Sequence, residues 1–497
     1  MKQVQSPEMR ALVAVDRASA TPLHRQLYDG LRRAILGGLL RAGQRVPSTR
    51  TFALGLGVSR LTVLTAYDQL LHEGYLEART GSGTFVRGAL ADDVLRPIGR
   101  LPRGARTPRP TVAPRAPRTA TVAREAGGSK PFRVGLPALD VFPRAEWARL
   151  VARRARGLSV AHMAYGDPAG IWSLRAAIAA HVRTSRAVHC EADHVLVVSG
   201  SQAALRLCAA VLLQAGDEVA MEEPGYPGAR AALAAGGART IPVRVDADGI
   251  EVSRLDAVSA AVRAVYVTPS HQYPLGVSMT AARRIALLDW ARRRDAWIIE
   301  DDYDSEYRYV SRPLGALQGM AFGTHAGAAH RVIYIGTFSK VLFPALRVGY
   351  LVVPPALWER FVTAREVIDL FPPTLYQLAL SDFLTEGHFA RHLRRMRHLY
   401  LGRRDALLEG LQQHCDGMLA VENADAGLHV TTRLPAGVDD LALVAELGTR
   451  GLLATPLSPC YVSSARQPGL LLGFGGWREP ALKRATRLLG EVLRARR

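Results

Sequence analysis

The sequence predicts a multidomain chain: a small, mainly α-helical basic head, then a large α/β body that ends in a smaller α+β unit. Three observations carry this. The 497 residues are about three times the ~150 typical of one domain. The charge is unevenly spread, since residues 1–130 hold 21 Lys+Arg against 9 Asp+Glu, and the remaining chain supplies only eight of the net +20. Between 96 and 118 the string RPIGRLPRGARTPRPTVAPRAPR has six prolines, seven arginines and no acid. Such a stretch cannot bury a core and reads as a flexible spacer.

The expected layout is therefore a head over 20–88, a Pro/Arg-rich linker over 89–130 and a body over 131–497. The body divides into a large part, about 160–395, and a small part, about 400–497. Four cysteines with no C-x-x-C spacing argue against a zinc site or a disulfide framework, and no metal is expected. No apolar run reaches the ~18 residues of a membrane span, and MKQVQSPEMR lacks a signal peptide's apolar core. These readings exclude membrane and secreted classes and place the chain in the cytoplasm. A basic head on a nearly balanced body implies a polyanion-binding module joined to a different function.

In the head, Leu23, Leu27, Leu31, Ala34 and Ile35 repeat at helical spacing and Gly37-Gly38 closes the helix. Pro47-Ser48-Thr49 opens a short second helix that Gly57 ends, and Ser59 is placed to N-cap a third. There Val63, Tyr67, Leu70 and Leu71 form the buried stripe, with Arg60, Thr62 and Thr65 opposite. Two short strands near 75–77 and 84–87 flank the turn RTGSG (79–83). Helix, short helix, turn, helix and basic hairpin make a winged helix-turn-helix, whose third helix enters a DNA major groove while the wing meets phosphates. The strings VPSTR (46–50), GVSRLTV (57–63), AYDQL (66–70), EGYLEART (73–80) and GSGTFV (81–86) resemble the GntR group of bacterial regulators. That resemblance implies DNA contacts from Arg50, Ser59, Arg60, Thr62 and wing residues Arg79, Thr80, Gly81 and Gly83. Leu61 stands where the group usually has a polar residue.

In the body, apolar runs at 194–200, 217–224, 261–269, 296–303, 331–338 and 347–354 read as buried strands, with helical patterns such as 201–216 and 281–295 between them. This rhythm predicts a mainly parallel sheet with ligands at the strands' carboxyl ends. The chemically suggestive residues fall there. Gly200-Ser201-Gln202 opens a helix after a strand, Glu300-Asp301-Asp302-Tyr303 ends another, and Thr337-Phe338-Ser339-Lys340 ends a third, with Arg347 following. The chain has only four lysines (Lys2, Lys130, Lys340 and Lys483) among its 64 basic residues, so a lysine kept at a strand end points to a need for an amine that can lose its proton. An amine, a strand-end acid and phosphate-binding hydroxyls suit pyridoxal 5′-phosphate.

The strings AYGDPAGIWSLR (164–175), SGSQAAL (199–205), EEPGYPG (222–228), TPSHQYPLG (268–276), EDDYDSEYRY (300–309), YIGTFSKVLFPALRVGYLV (334–352) and GLHV (427–430) resemble fold-type-I aminotransferases. With the head, the chain is similar to the MocR/GabR family, in which a GntR-type head is fused to an aminotransferase-like body. The resemblance implies that Lys340 forms the Schiff base with pyridoxal phosphate, that Asp301 meets the pyridine nitrogen and that Tyr303 meets the ring oxygen. Ser201, Gln202, Thr337, Ser339 and Arg347 would bind phosphate, Tyr226 would lie against the ring, and Tyr165 would reach the phosphate of the partner subunit in a homodimer. Tyr273 stands at the asparagine of the usual N-P-x-G string. GLLLGF (469–474) offers no arginine for a substrate carboxylate, leaving Arg450 and Arg466 as nearby candidates. The expected function is a pyridoxal-phosphate-dependent regulator that binds double-stranded operator DNA with two half-sites and senses an amine, an amino acid or the cofactor. The alternative is an active aminotransferase carrying an autoregulatory head.

Overall fold

The structure, a computed structural model, describes residues 13, 15–87, 130–310, 315–324, 329–463 and 466–496. The predicted linker, except for Lys130, lies outside them. The chain divides into two compact units between residues 112 and 113.

The first unit packs α1 (Leu23–Leu36), α2 (Thr49–Leu56) and α3 (Arg60–His72) beside the antiparallel hairpin β1 (Leu76–Arg79) and β2 (Gly83–Val86). Leu27, Leu31, Phe52, Val63, Tyr67, Leu70 and Val86 form its core. Ser48 and Ser59 cap α2 and α3, each accepting a backbone N–H three residues on, and Gly57 closes α2 in the left-handed region. The N-caps satisfy helix-end donors that the short α2 cannot satisfy internally.

The second unit is built on an eight-stranded sheet. Its strands are β3 (Val195–Val198), β4 (Glu218–Glu223), β5 (Arg239–Asp246), β6 (Gly249–Ile250), β7 (Val262–Val267), β8 (Trp297–Asp302), β9 (Val332–Thr337) and β10 (Gly349–Val352), in the order β3-β10-β9-β8-β7-β4-β5-β6. The run β9-β8-β7-β4-β5 is parallel, and β10 is antiparallel to both neighbours. Both faces are covered. Ile299, Ile333 and Leu351 pack with Leu205 and Cys208 of α4 (Ser201–Leu212), Leu233 of α5 (Pro227–Ala235) and Phe361 of α7 (Trp358–Asp369). Ile298, Val265 and Val332 face Leu287, Leu288 and Trp290 of α6 (Ala281–Arg294) instead. Burial on two faces explains why these strands read as continuous apolar runs rather than alternating ones.

A second, antiparallel sheet orders β11 (Ala420–Val421), β12 (His429–Arg433), β14 (Gly469–Gly473) and β13 (Thr455–Pro456), and α9 (Glu479–Arg494) packs against α8 (His388–Cys415). The structure differs from the sequence reading in two ways here. The pattern change placed near Tyr400 falls inside α8, one continuous 28-residue helix, because Phe389, Leu393, Met396, Tyr400, Leu407 and Leu411 keep a single buried stripe across it. The start of the body also joins this C-terminal sheet, since Phe132 forms a β-bridge with Gly473.

Candidate functional site

The carboxyl ends of β7, β8 and β9 and the N-terminus of α4 surround a cavity of about 250 Å³, closed on the other side by Val134, Gly135, Leu428, His429 and Thr455. Lys340, Asp301, Tyr303, Ser201 and Tyr226 all line it, so the structure brings five of the sequence-derived residues together. Gln202 and Arg347 line a neighbouring recess with Ser199 and Arg206. Thr337 ends β9, with its hydroxyl accepting from the Ser339 N–H at 3.2 Å.

Lys340 is partly buried and its Nζ donates to the Gly135 carbonyl at 3.1 Å. Gly135 has φ +75°, and a Cβ there would stand 2.3 Å from that nitrogen, so only glycine lets the backbone approach. Burial lowers the lysine's proton affinity, Asp304 and Asp301 oppose this, and the net direction is down. Asp301 is held by one hydrogen bond, Tyr266 Oη to Oδ2 at 2.8 Å, and its Oδ1 has no partner. Burial pushes its carboxyl up to about 7 despite that bond and the nearby lysine. Beside it, burial alone would raise Asp302 too. Arg186, 2.7 Å away, and the Tyr334 hydroxyl at 2.6 Å outweigh burial and hold Asp302 below the usual range. Both carboxyls keep one oxygen without a partner, but Asp302 is tied to Arg186 and Tyr334, whereas Asp301 presents its open acceptor in the cavity wall.

That open acceptor is the first sign that the cavity fits pyridoxal phosphate, because a protonated pyridine nitrogen offers the missing donor. The buried Ser339 Oγ also lacks a partner. The third sign is a cradle at Gly200, where φ is +96° and a Cβ would come 3.3 Å from the Arg347 guanidinium. Arg347 itself is left-handed at φ 53° and donates to the Ser199 carbonyl at 2.5 Å, which places a cation at the N-terminus of α4 where a phosphate is favoured.

Several residues escaped the sequence reading. Tyr266 and Thr268 line the cavity from β7 and the turn beyond it. His271 sits between Asp304 and Tyr303, with Nδ1 3.0 Å from Asp304 Oδ1 and 3.0 Å from the Tyr303 hydroxyl. His429 packs 5.2 Å from the His271 ring, and burial pushes it down to about 4. Tyr273, at the asparagine position, stacks its edge on Tyr226 at 5.2 Å. His271, Asp304 and His429 lay inside strings that were already matched, as polar residues with no assigned task. Tyr165 is not in the cavity: it is 86% exposed and touches Phe371. Arg450 pairs with Glu446 and Arg466 is exposed, and neither is among the lining residues.

In the head, Arg50, Arg60, Arg79, Thr80, Gly81 and Gly83 are exposed. The Ser59 hydroxyl is committed to capping, contacting the Thr62 N–H at 3.1 Å and hydroxyl at 2.7 Å. Arg79 lies over Phe85 and pairs with Glu77. Arg45, not foreseen, reaches the wing, where a Cβ on Gly83 would meet its Nε at 2.9 Å.

Comparison with known proteins agrees with both halves. Residues 23–86 match the bacterial regulatory proteins of the gntR family, and 141–471 match aminotransferase class I and II. The chain is 41% identical over 471 residues to a probable rhizopine catabolism regulatory protein, MocR, of Rhizobium meliloti, covering 94% of this chain and 92% of that protein. It is 33% identical to the pyridoxine biosynthesis transcriptional regulator PdxR of Corynebacterium glutamicum, covering 95% and 96%. The α-aminoadipate aminotransferase LysN of Thermus thermophilus, solved with N-(5′-phosphopyridoxyl)-L-leucine, superposes with a TM-score of 0.68 at 29% identity, over 73% of this chain and 92% of that one. With a GntR-type winged helix-turn-helix, a fold-type-I body and a cavity shaped for pyridoxal phosphate, this chain belongs to the MocR/GabR family of transcription regulators.

Proposed function

We propose that the protein is a cytoplasmic homodimer that binds operator DNA through two heads and senses an amine or amino acid in its pyridoxal phosphate cavity. The observation that carries the sensing role is the partly buried Lys340 sharing one cavity with the half-satisfied Asp301. Bound pyridoxal phosphate supplies an aldehyde that links reversibly to amines and a ring that withdraws electrons. Burial keeps the Lys340 nitrogen ready to shed its proton, and the Gly135 carbonyl orients it. Asp301 holds a proton at the pyridine nitrogen, Tyr303 faces the ring oxygen, and Tyr226 covers the ring. Ser201, Gln202, Thr337, Ser339 and Arg347 take the phosphate, and the exposed Tyr165 serves the partner's site. The working boundaries are 20–88 for the head, 89–130 for the linker and 131–497 for the body. Arg50, Ser59, Arg60, Thr62 and the wing contact DNA, and Ser59 also caps α3.

The ligand's influence on DNA requires that it bind the DNA-competent arrangement with a different affinity from the free one. Lys340→Ala should therefore keep operator binding in a gel-shift titration but lose its response to added amines. A response that survives in Lys340→Ala overturns the reading. A second reading, an aminotransferase with an autoregulatory head, is favoured by the intact Lys340–Asp301 pair. Sustained multiple turnovers with an amino acid and a 2-oxoacid would establish it.

A further inference from the structure

The contact among Asp304, His271 and Tyr303 is over-subscribed. His271 Nδ1 lies 3.0 and 3.1 Å from the two Asp304 carboxylate oxygens and 3.0 Å from the Tyr303 hydroxyl. One ring nitrogen offers one hydrogen or one lone pair, not both. An ionised carboxylate only accepts, so beside Asp304 the nitrogen carries the hydrogen. Nδ1 then has no lone pair for the Tyr303 O–H. The tyrosine oxygen can accept a share of the Nδ1 hydrogen, but its own hydrogen must point elsewhere, and the open direction is the cavity that Tyr303 lines. The arrangement is rigid, because His271 and Asp304 are 2% exposed and a Cβ on Gly427 would come 2.1 Å from the imidazole.

We infer that Asp304 and His271 are a positioning pair that turns Tyr303 into a fixed hydrogen donor toward the cofactor's ring oxygen. The inference rests on the reading that Tyr303 faces that oxygen. It adds that the donor direction is imposed from behind by two residues that do not touch the ring oxygen.

The consequence is spectroscopic. A donor at the ring oxygen stabilises negative charge there, and that charge is least shielded once the Lys340 linkage has lost its proton. A fixed Tyr303 donor therefore favours proton loss and lowers the pH midpoint of the visible absorbance change. Other groups also act at this point. Asp304 and Asp301 favour the protonated linkage, Arg133 and Arg347 oppose it, Glu222 acts on Tyr303, and His429, Tyr226 and Tyr273 crowd the same cavity.

The test is a pH titration of the visible spectrum of the full-length, cofactor-loaded protein. Tyr303→Phe should raise the midpoint by about one pH unit, a tenfold change in proton affinity. His271→Phe keeps a ring but removes the nitrogen. The Tyr303 hydroxyl can then turn to Asp304, which flanks the vacated position, so the midpoint should move the same way. In the double variant it should move no further than in Tyr303→Phe alone. An unmoved midpoint in His271→Phe, with Tyr303→Phe shifted, overturns the positioning pair. An unmoved midpoint in Tyr303→Phe instead overturns the placement of Tyr303 itself. Should His271→Phe not fold, Asp304→Asn decides. Losing a negative charge near Lys340 alone lowers the midpoint, so a rise supports the pair, and a fall or no change overturns it.

Discussion

Asp301 departs far from its free behaviour. Its carboxyl has the usual acidic range in an unfolded chain and about 7 in the folded one, so folding without cofactor binds a proton more tightly there. The sign follows from linkage: the folded state carries no penalty at low pH, loses stability as pH rises from about 4 to about 7, and is level above that. Asp301→Asn removes the ionisation. Its cofactor-free form should match the natural protein at pH 4 and be more stable at pH 8, by on the order of a few kcal/mol, while its pyridoxal phosphate affinity falls at least tenfold. Thermal melts at the two pH values check the first outcome, and an absorbance titration the second. Lys340, Asp301 and Tyr303 were legible in the sequence because a strand-end position is a local property: an apolar run stops and a polar residue follows. His271 and His429 were not, because their partners lie 33 and 158 residues away, and only the packing of β12 against the turn after β7 reveals them.

At the scale of elements, α3 shows how stability and recognition share the same residues. Ser59 spends its hydroxyl on the helix end, so Ser59→Ala should cost the head about 1 kcal/mol in a denaturant melt, with only a secondary loss of DNA affinity. Arg60 is exposed at the first turn and, among the described residues, its guanidinium reaches Thr49 at 3.4 Å, a weak hold. Arg60→Ala should cost on the order of 1–3 kcal/mol of binding to one operator if it reads a base, and an even loss over all sequences would place it on phosphate. The helical head was readable from spacing and capping alone. The continuation of α8 through Tyr400 was not, because a change in strand content looks like a boundary even where one helix spans it.

For the whole molecule, the reach between heads follows from the chain. On the proposed boundaries the linker has roughly 40 residues, and an extended proline-rich chain of that length, at about 3.1 Å per residue, would reach on the order of 100 Å. One DNA turn is about 34–36 Å. Inserting one whole turn between two half-sites should therefore change footprinting affinity little, whereas a half-turn, which moves one site to the opposite face, should cost more. Undiminished affinity after deleting one half-site would contradict two-headed binding and the avidity it brings.

The β-bridge between Phe132 and Gly473 gives the proposed linker a definite mooring. The first described residues of the body are stitched to the sheet that also carries His429 in the cavity wall, and in the turn two residues beyond Arg133 the Gly135 carbonyl accepts from Lys340. Leash, wall and reactive lysine thus meet on one short ribbon. The Gly473 N–H donates to the Phe132 carbonyl at 2.8 Å, so β14 and the first described residues of the body are in direct backbone contact. The cavity wall and the first described residues of the body are thus joined through covalent chain and a backbone hydrogen bond.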